Sequence, residues 1–554
     1  MSHPRPFYYL ENFRTALDWL RTRYGDLLNE SEWDFISRFP GLPLESAALL
    51  VRMVGRQGEL FRTSRLRYDE IGCPLTAAAV LIELGWVDSN PLLAMADLGK
   101  LLRKPELHAA FGVSGAALGL RKPELLEWLG LQGAEPRSWT DWWARASDVV
   151  FRLRVSPLCE RLRLLFFGNF RQDWSQFVLT DLGIFRYEKV AGEACTRAFQ
   201  SRQHIDTFHA LFECRKLIAA EGSPESILAR LPPAAVDNEW LEGRRQKLQF
   251  QIAQACERKR DLVRALEVYR TCSYAGSRLR QVRLLELLGE VPDALRLAET
   301  IQERPADDIE TQQISRMLPR LQRKSGLKVR RVPPARDWVT FDAVLPIGER
   351  PDHLERATAE ALSQPDAPVL YVENSLINSL FGLLCWEAIF APIAGAFFHQ
   401  FQSGPADLHA AGFRQRRAAQ LAQCLGQLES EAYRDTIRLN FRVKSGIQSP
   451  FVFWGLLDEP LLELALDCLP RQHLRACFER ILENIRCNRS GLPDLIQFWP
   501  AQRRYRLIEV KGPGDRLQDN QLRWLGFCHS RGIPVSLCHV SWLSSATECG
   551  TAPA

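Results

Sequence analysis

The chain has 554 residues, a mass of 63.3 kDa and 46% hydrophobic residues, enough for two to four domains that each bury a core, and this excludes a disordered chain. A net charge of +5 and a pI near 8.5 are diluted over so large a surface that they favour an anionic partner only slightly and exclude none. The fourteen cysteines never come closer than nine residues to one another, which excludes a C-x-x-C redox or zinc pair and leaves reduced thiols in a cytoplasmic compartment as the expectation.

The N-terminus, MSHPRPFYYLENFRTALDWL, has no apolar core behind a basic start, and no uncharged run reaches membrane-spanning length, so neither a secretory leader nor a membrane span is expected. Residues 1–155 read as short helices broken by Gly and Pro. Within them, VRMVGRQGELFRTSRLRY sets Arg52, Arg56, Arg62, Arg65 and Arg67 against one acid, Glu59. Such a run is either a solvated charged face or a patch that tracks DNA phosphates. Further on, RKPELHAAF from Arg103 is echoed by RKPELLEWL from Arg121; each proline suits the first turn of a helix, so two small helices in tandem are predicted.

Residues 156–345 form a second helical region. From Asn238 to Gln322 the period is helical throughout, and RDLVRALEVYRT overlays GEVPDALRLAET with Ala265 on Ala294 and Val268 on Leu297, a spacing of twenty-nine. That suits an array of helical hairpins resembling tetratricopeptide repeats, or a plain helical bundle. The basic, proline-containing QRKSGLKVRRVPPARDW reads as a linker, and the last domain is expected over 346–546, with a tail at 547–554. In it, SLINSLFGLLCWEAIFAPI is apolar almost all round and predicts one buried helix. LIQFW and YRLIEV read as strands, RLQDNQLRWLGFCHSRG as an amphipathic helix, and IPVSLCHVSW as a final strand. The order is that of an α/β layer around a mixed sheet.

If 495–499 and 504–510 pair as a hairpin turning between Ala501 and Gln502, opposed residues have numbers that sum to 1003. Asp494 and Glu509 meet that condition, which places two like charges across a ladder and calls for a compensating cation. By strand alternation Lys511 shares the face of Glu509, while Val510 turns its side chain into the core and keeps a carbonyl for a hard-metal oxygen shell. The plain alternative is a turn cap at Asp494 and a surface pair of Glu509 with Lys511. Against it stand the apolar strands that carry these charges and the choice of Lys in a chain with 11 Lys and 60 Arg, since only an ammonium can be tuned by burial to exchange a proton. KGPGDR then supplies glycines where the backbone must turn.

Pro493-Asp494 followed by Glu509-Val510-Lys511 matches the PD-(D/E)xK pattern of restriction-endonuclease-like nucleases. GLPDL with EVKGPGDRLQDNQLRW, and SLFGLLCWEAIF upstream, resemble the VRR-NUC domain of the Fanconi-associated nuclease family over roughly the last 200 residues. The order of a basic region with a SAP-like segment at about 90–130, a helical-repeat region and a terminal nuclease resembles that family's whole architecture. The resemblance implies mainly helical N-terminal and repeat regions followed by an α/β restriction-endonuclease-like domain. It implies one or two Mg²⁺ or Mn²⁺ ions held by Asp494, Glu509, the Val510 main chain and a further acid, Glu373 (with Glu387 the rival), Lys511 as the catalytic lysine, and Gln521 on the following helix. It also implies a structure-specific, metal-dependent nuclease that cuts near 5′ flaps, trims 5′ to 3′, leaves 5′-phosphates and serves interstrand-crosslink repair. Its partner is branched or flapped double-stranded DNA. Ubiquitin binding is not implied, because no Cys/His cluster matches the family's zinc finger. A Holliday-junction-type resolvase and a helical-repeat scaffold carrying an inactive nuclease fold are the alternatives.

Overall fold

The computed structural model describes residues 7–130, 135–174, 185–190, 196–235, 237–328, 338–346 and 353–542; the expected tail, 547–554, lies outside them. The described residues divide into two compact units, one running to Phe185 with 200–205 added, the other 186–199 and everything from Asp206 onward.

The first unit is helical but holds a small sheet the sequence did not announce. β1 (Leu60–Arg62) and β2 (Val87–Asp88) flank β3 (Val150–Leu153), both antiparallel to it. Strands of two to four residues carry too little alternation to be read locally. The echoed motifs form matching helices, Lys104–Phe111 and Lys122–Gly130. In each the third helical residue reaches back to the N-terminus: Glu106 accepts from the Arg103 N–H at 2.7 Å and Glu124 from that of Arg121 at 2.9 Å, which satisfies a donor the helix leaves open. In each the following leucine, Leu107 or Leu125, is fully buried.

In the second unit five helices follow one another: α1 (Glu239–Arg258), α2 (Leu262–Arg270), α3 (Ser277–Leu287), α4 (Val291–Glu303) and α5 (Asp308–Lys324). Each packs on the next in sequence, the arrangement of a hairpin array. Ala265 and Ala294, the pair that defines the twenty-nine-residue spacing, are both fully buried in its core.

The α/β layer is a five-stranded mixed sheet in the order β4-β8-β7-β6-β5, built from β4 (Val339–Leu345), β5 (Val369–Tyr371), β6 (Leu495–Trp499), β7 (Arg504–Lys511) and β8 (Val535–Trp542). β8 runs parallel to β4 and β7, whereas β6 is antiparallel to β5 and β7. The domain start expected at 346 is therefore late. β4 already pairs with β8, but an edge strand set against a linker, with Val339 and Val344 more than half exposed, shows no buried face to read. α6 (Leu354–Leu362) packs on β5. The expected single apolar helix is broken at Cys385 into α7 (Leu376–Leu384) and α8 (Trp386–Ile389), both almost wholly buried. Val372, Ile496, Phe498, Tyr505 and Leu507 enter one core with α7, α8 and Trp524 and Leu525 of α9 (Asp519–Ser530). The other sheet face buries Leu495, Ile508 and Val510.

The twelve described cysteines are free thiols, and all but Cys73 and Cys487 are buried. No helix among the described residues is long and apolar enough to cross a membrane.

Candidate metal centre and nucleic-acid interface

The hairpin register is the one the sequence predicts: Leu495 pairs with Ile508, Gln497 with Arg506 and Trp499 with Arg504, each pair summing to 1003. Extending the ladder by one residue sets Asp494 opposite Glu509, at the end of the face that Ile496 and Leu507 line. On its other side the Asp494 carbonyl accepts from the Val372 N–H at 2.8 Å. Asp494 is thus held between β5 and β7 by main chain, with its carboxyl fixed by the Val510 N–H, which donates to Oδ2 at 2.9 Å.

The two carboxylates are buried, Asp494 at 6% exposure and Glu509 at 0%. Lys511 Nζ stands 2.8 Å from Glu509 Oε1. Apart from that ammonium neither Glu509 oxygen has a donor among the described residues. Burial comes first among the causes that push the Asp494 carboxyl up, and Glu373 and Glu355 push the same way against the Val510 N–H and Lys511. Burial, then Asp494, pushes Glu509 up as well. A carboxylate out of water with unmet lone pairs, facing a second one, fits a hard divalent cation, which takes oxygen ligands and replaces the lost hydration.

Glu373 follows β5 and is exposed at the mouth of this face, its field reaching both Asp494 and Glu509. Its rival Glu387 is exposed on α8, and the field it does exert falls on Cys424. The structure brings Glu373, Asp494, Glu509, Val510 and Lys511 together. Gln521 lies in the first turn of α9, where its Oε1 accepts from the Gln518 N–H at 2.8 Å, a capping role; no hydrogen bond joins it to the carboxylates among the described residues. Its neighbour Asn520 sits against Gly491 (φ +89°), where an added Cβ would come within 2.7 Å of Asn520 main chain. Only glycine admits α9 so close to the segment that leads into Asp494.

Two features escaped the sequence reading. Glu355, in the first turn of α6, adds a fourth acid whose field reaches Asp494; an acid at a helix start before a strand was the signal. Around exposed His409, whose pKa is pushed down by desolvation and by Arg489, Arg486 and Lys247, three cations gather from α1 and the segment leading into Asp494.

The arginine run divides. Arg62 is a correction: at 7% exposure its guanidinium donates to Asp148 at 2.9 Å and Glu106 at 2.6 Å, so it is consumed inside the fold and is not available to phosphates. Arg52 is likewise engaged, 2.6 Å from Glu70 and between the rings of Tyr9 and Tyr68. Arg56, Arg65 and Arg67 are exposed. Arg56 and Arg65, with Lys100, line a cavity of about 490 Å³ that also receives Glu59 and Asp97.

The raised carboxyls give a pH dependence of definite sign. Between about 4.5, the ordinary Glu509 value, and about 8, its raised value, the folded metal-free chain holds protons the unfolded chain has released. Its stability therefore falls as pH rises through that window. A divalent cation requires ionised ligands, so its stabilisation grows over the same window. The melting midpoint without divalent metal is expected to decline from pH about 5 to about 8, while the increment on adding Mn²⁺ rises. Glu509→Gln flattens both trends, and an increment independent of pH refutes the assignment.

Comparison with known proteins agrees with this geometry. The VRR-NUC domain model matches residues 428–542, that of the FAN1 HTH domain 7–88, and that of the Fanconi anemia-associated nuclease SAP domain 92–142. A Fanconi-associated nuclease 1 homolog of Pseudomonas aeruginosa is 53% identical over 97% of this chain and 96% of its own length. One from Oryza sativa is 24% identical over 98% of this chain and 64% of its own. A crystal structure of paFAN1 bound to 2nt 5′ flap DNA with gap superposes with a TM-score of 0.92 at 53% identity, covering 98% of this chain and all of that one. A second, with a 1nt flap, gives 0.91 at the same coverage. Likeness along the whole chain does not favour a resolvase built on the nuclease domain alone, and a complete set of motif residues does not favour an inactive scaffold. The chain is a nuclease and belongs to the Fanconi-associated nuclease family.

Proposed function

We propose that the chain cleaves DNA bearing 5′ flaps and related branches, using Mg²⁺ or Mn²⁺ held by Asp494, Glu509, Glu373 and the Val510 carbonyl, in the cytoplasm and in the service of crosslink repair. The observation that carries this reading is the opposed, buried pair Asp494 and Glu509, with Glu509 oxygens that lack donors apart from Lys511. The two structures of one relative, paFAN1, solved with 5′ flap DNA support the substrate.

A divalent cation supplies neutralisation of phosphoryl charge and acidification of water. The chain's part is to hold it. Val510 N–H pins Asp494 Oδ2, Glu509 offers two oxygens, and the rigid β6–β7 ladder fixes their separation. Lys511, on the same face, donates to the attacking water or to the oxygen on which charge develops. Arg56, Arg65, Arg67 and Lys100 in the first unit, and Lys247, Arg486 and Arg489 around His409, are proposed contacts for DNA phosphates. The test is cleavage of labelled 5′-flap, 3′-flap, nicked, junction and single-stranded DNAs in Mg²⁺ or Mn²⁺. Preference for the 5′ flap, lost on chelation, is expected; equal cutting of all five, or cutting in chelator, refutes the reading.

Within the arginine run, Arg56→Ala, Arg65→Ala and Lys100→Ala combined should weaken DNA binding and flatten its salt dependence by about 0.9 log units per lost contact. Arg62→Ala should act differently. It strands the buried Asp148 and costs stability on the order of 3–5 kcal/mol, read as a lower denaturation midpoint. An unchanged salt slope in the triple variant leaves those cations as a solvated face.

A further inference from the structure

We propose that Asn374, together with Tyr371, is a positioning clamp for the Glu373 carboxylate, tying it to the segment that carries Asp494; this rests on the reading of Glu373 as a metal ligand. Asn374 has φ +49°, a left-handed conformation that costs a non-glycine residue free energy unless its surroundings enforce it. The side chain accounts for its presence there. Its Nδ2 donates to Glu373 Oε1 at 3.1 Å, and its Oδ1 accepts from the Leu492 N–H at 3.1 Å, two residues before Asp494. Only one orientation of the amide makes both bonds, so the network itself fixes which end is oxygen.

The turn is braced from inside. Asn378, 1% exposed, donates through Nδ2 to the Asn374 carbonyl at 2.7 Å and to the Arg489 carbonyl at 2.9 Å, joining α7 to the same incoming segment at a second point. On the other side the Tyr371 hydroxyl donates to Glu373 Oε2 at 2.6 Å. Both oxygens of Glu373 therefore have a donor from its own turn, whereas those of Glu509 have only Lys511. The contrast follows from position. Glu509 is held by a buried strand, but Glu373 is an exposed side chain whose rotamer freedom would otherwise be lost on metal binding, at a cost in affinity. A carboxylate oxygen that accepts one hydrogen bond keeps a lone pair for a cation, so the two donors aim the group without occupying it.

Removing such an outer partner typically costs 10–100-fold in metal affinity or activity. Asn374→Gly is the informative variant, because glycine takes the positive φ without strain and deletes the amide alone. Tyr371→Phe deletes the other donor. Mn²⁺ affinity of the full-length, DNA-free chain, read from the resonance of unbound Mn²⁺, should weaken by about 10–100-fold in each. The Mn²⁺ concentration that half-saturates cleavage should rise in parallel, with the KM for DNA and the melting midpoint near wild type. Glu509→Gln serves as the calibrating control. If it leaves Mn²⁺ binding intact, the metal reading itself fails. If it abolishes binding while Asn374→Gly and Tyr371→Phe stay within twofold of wild type, or lose only melting temperature, the clamp alone is overturned.

Discussion

Asp494→Ala and Glu509→Ala are each expected to lower cleavage by at least about a thousandfold while DNA binding persists. The several kcal/mol that a correctly held cation contributes to stabilising the developing charge, at 1.36 kcal/mol per factor of ten, sets that scale. Both residues are buried and opposed on neighbouring strands, so neither can be replaced by a small movement of the other or of exposed Glu373. Removing one acid also removes the like-charge conflict, and the metal-free variants should be at least as stable as the wild type. That combination, dead but well folded, distinguishes a metal ligand from a structural acid. Calcium should support DNA binding without efficient turnover, because its looser oxygen shell suits a site built for Mg²⁺ less well. Single-turnover rates with a labelled 5′ flap, alongside affinity for the same DNA in Ca²⁺, decide it; undiminished cleavage by either variant rules out the metal assignment.

The centre of this site was legible because a hairpin constrains itself. Side chains alternate with period two and a short turn leaves one register that buries Ile496, Phe498 and Leu507 together, so the partner of Asp494 follows by counting. What was not legible depends on residues far apart in the chain. Arg62 reads as one more exposed arginine until Glu106 and Asp148, 44 and 86 residues away, are seen to enclose it. β4 looks like the end of a linker because its strand partner, β8, comes near the other end of the domain. The left-handed Asn374 carries no local mark and Glu355 only that of an acid at a helix start, since nothing in a single acid or asparagine announces which strand end it will meet. Local pattern thus located the carboxylates that share a ladder, and tertiary packing alone revealed the groups that aim and surround them.

Lys511 is the sharper test of chemistry. Its side chain is 11% exposed and its Nζ lies 2.8 Å from Glu509 Oε1, so it is no surface cation; what remains is whether its charge or its proton geometry matters. If charge alone matters, Lys511→Arg keeps it, and the rate should stay within a few fold of wild type. If the ammonium donates to the attacking water, the planar guanidinium misplaces the donor and cannot exchange a proton, and little room exists for its extra bulk beside a fully buried Glu509. We expect Lys511→Arg and Lys511→Ala both to lose at least about a hundredfold in single-turnover rate at saturating Mn²⁺, the lower end of a general acid–base contribution. Metal and DNA affinity should remain near wild type in the arginine variant, which separates a lost step from a lost ligand. An arginine variant that cuts at close to the wild-type rate would reduce Lys511 to a counter-charge for Glu509, and the water would then owe its orientation to the carboxylates alone.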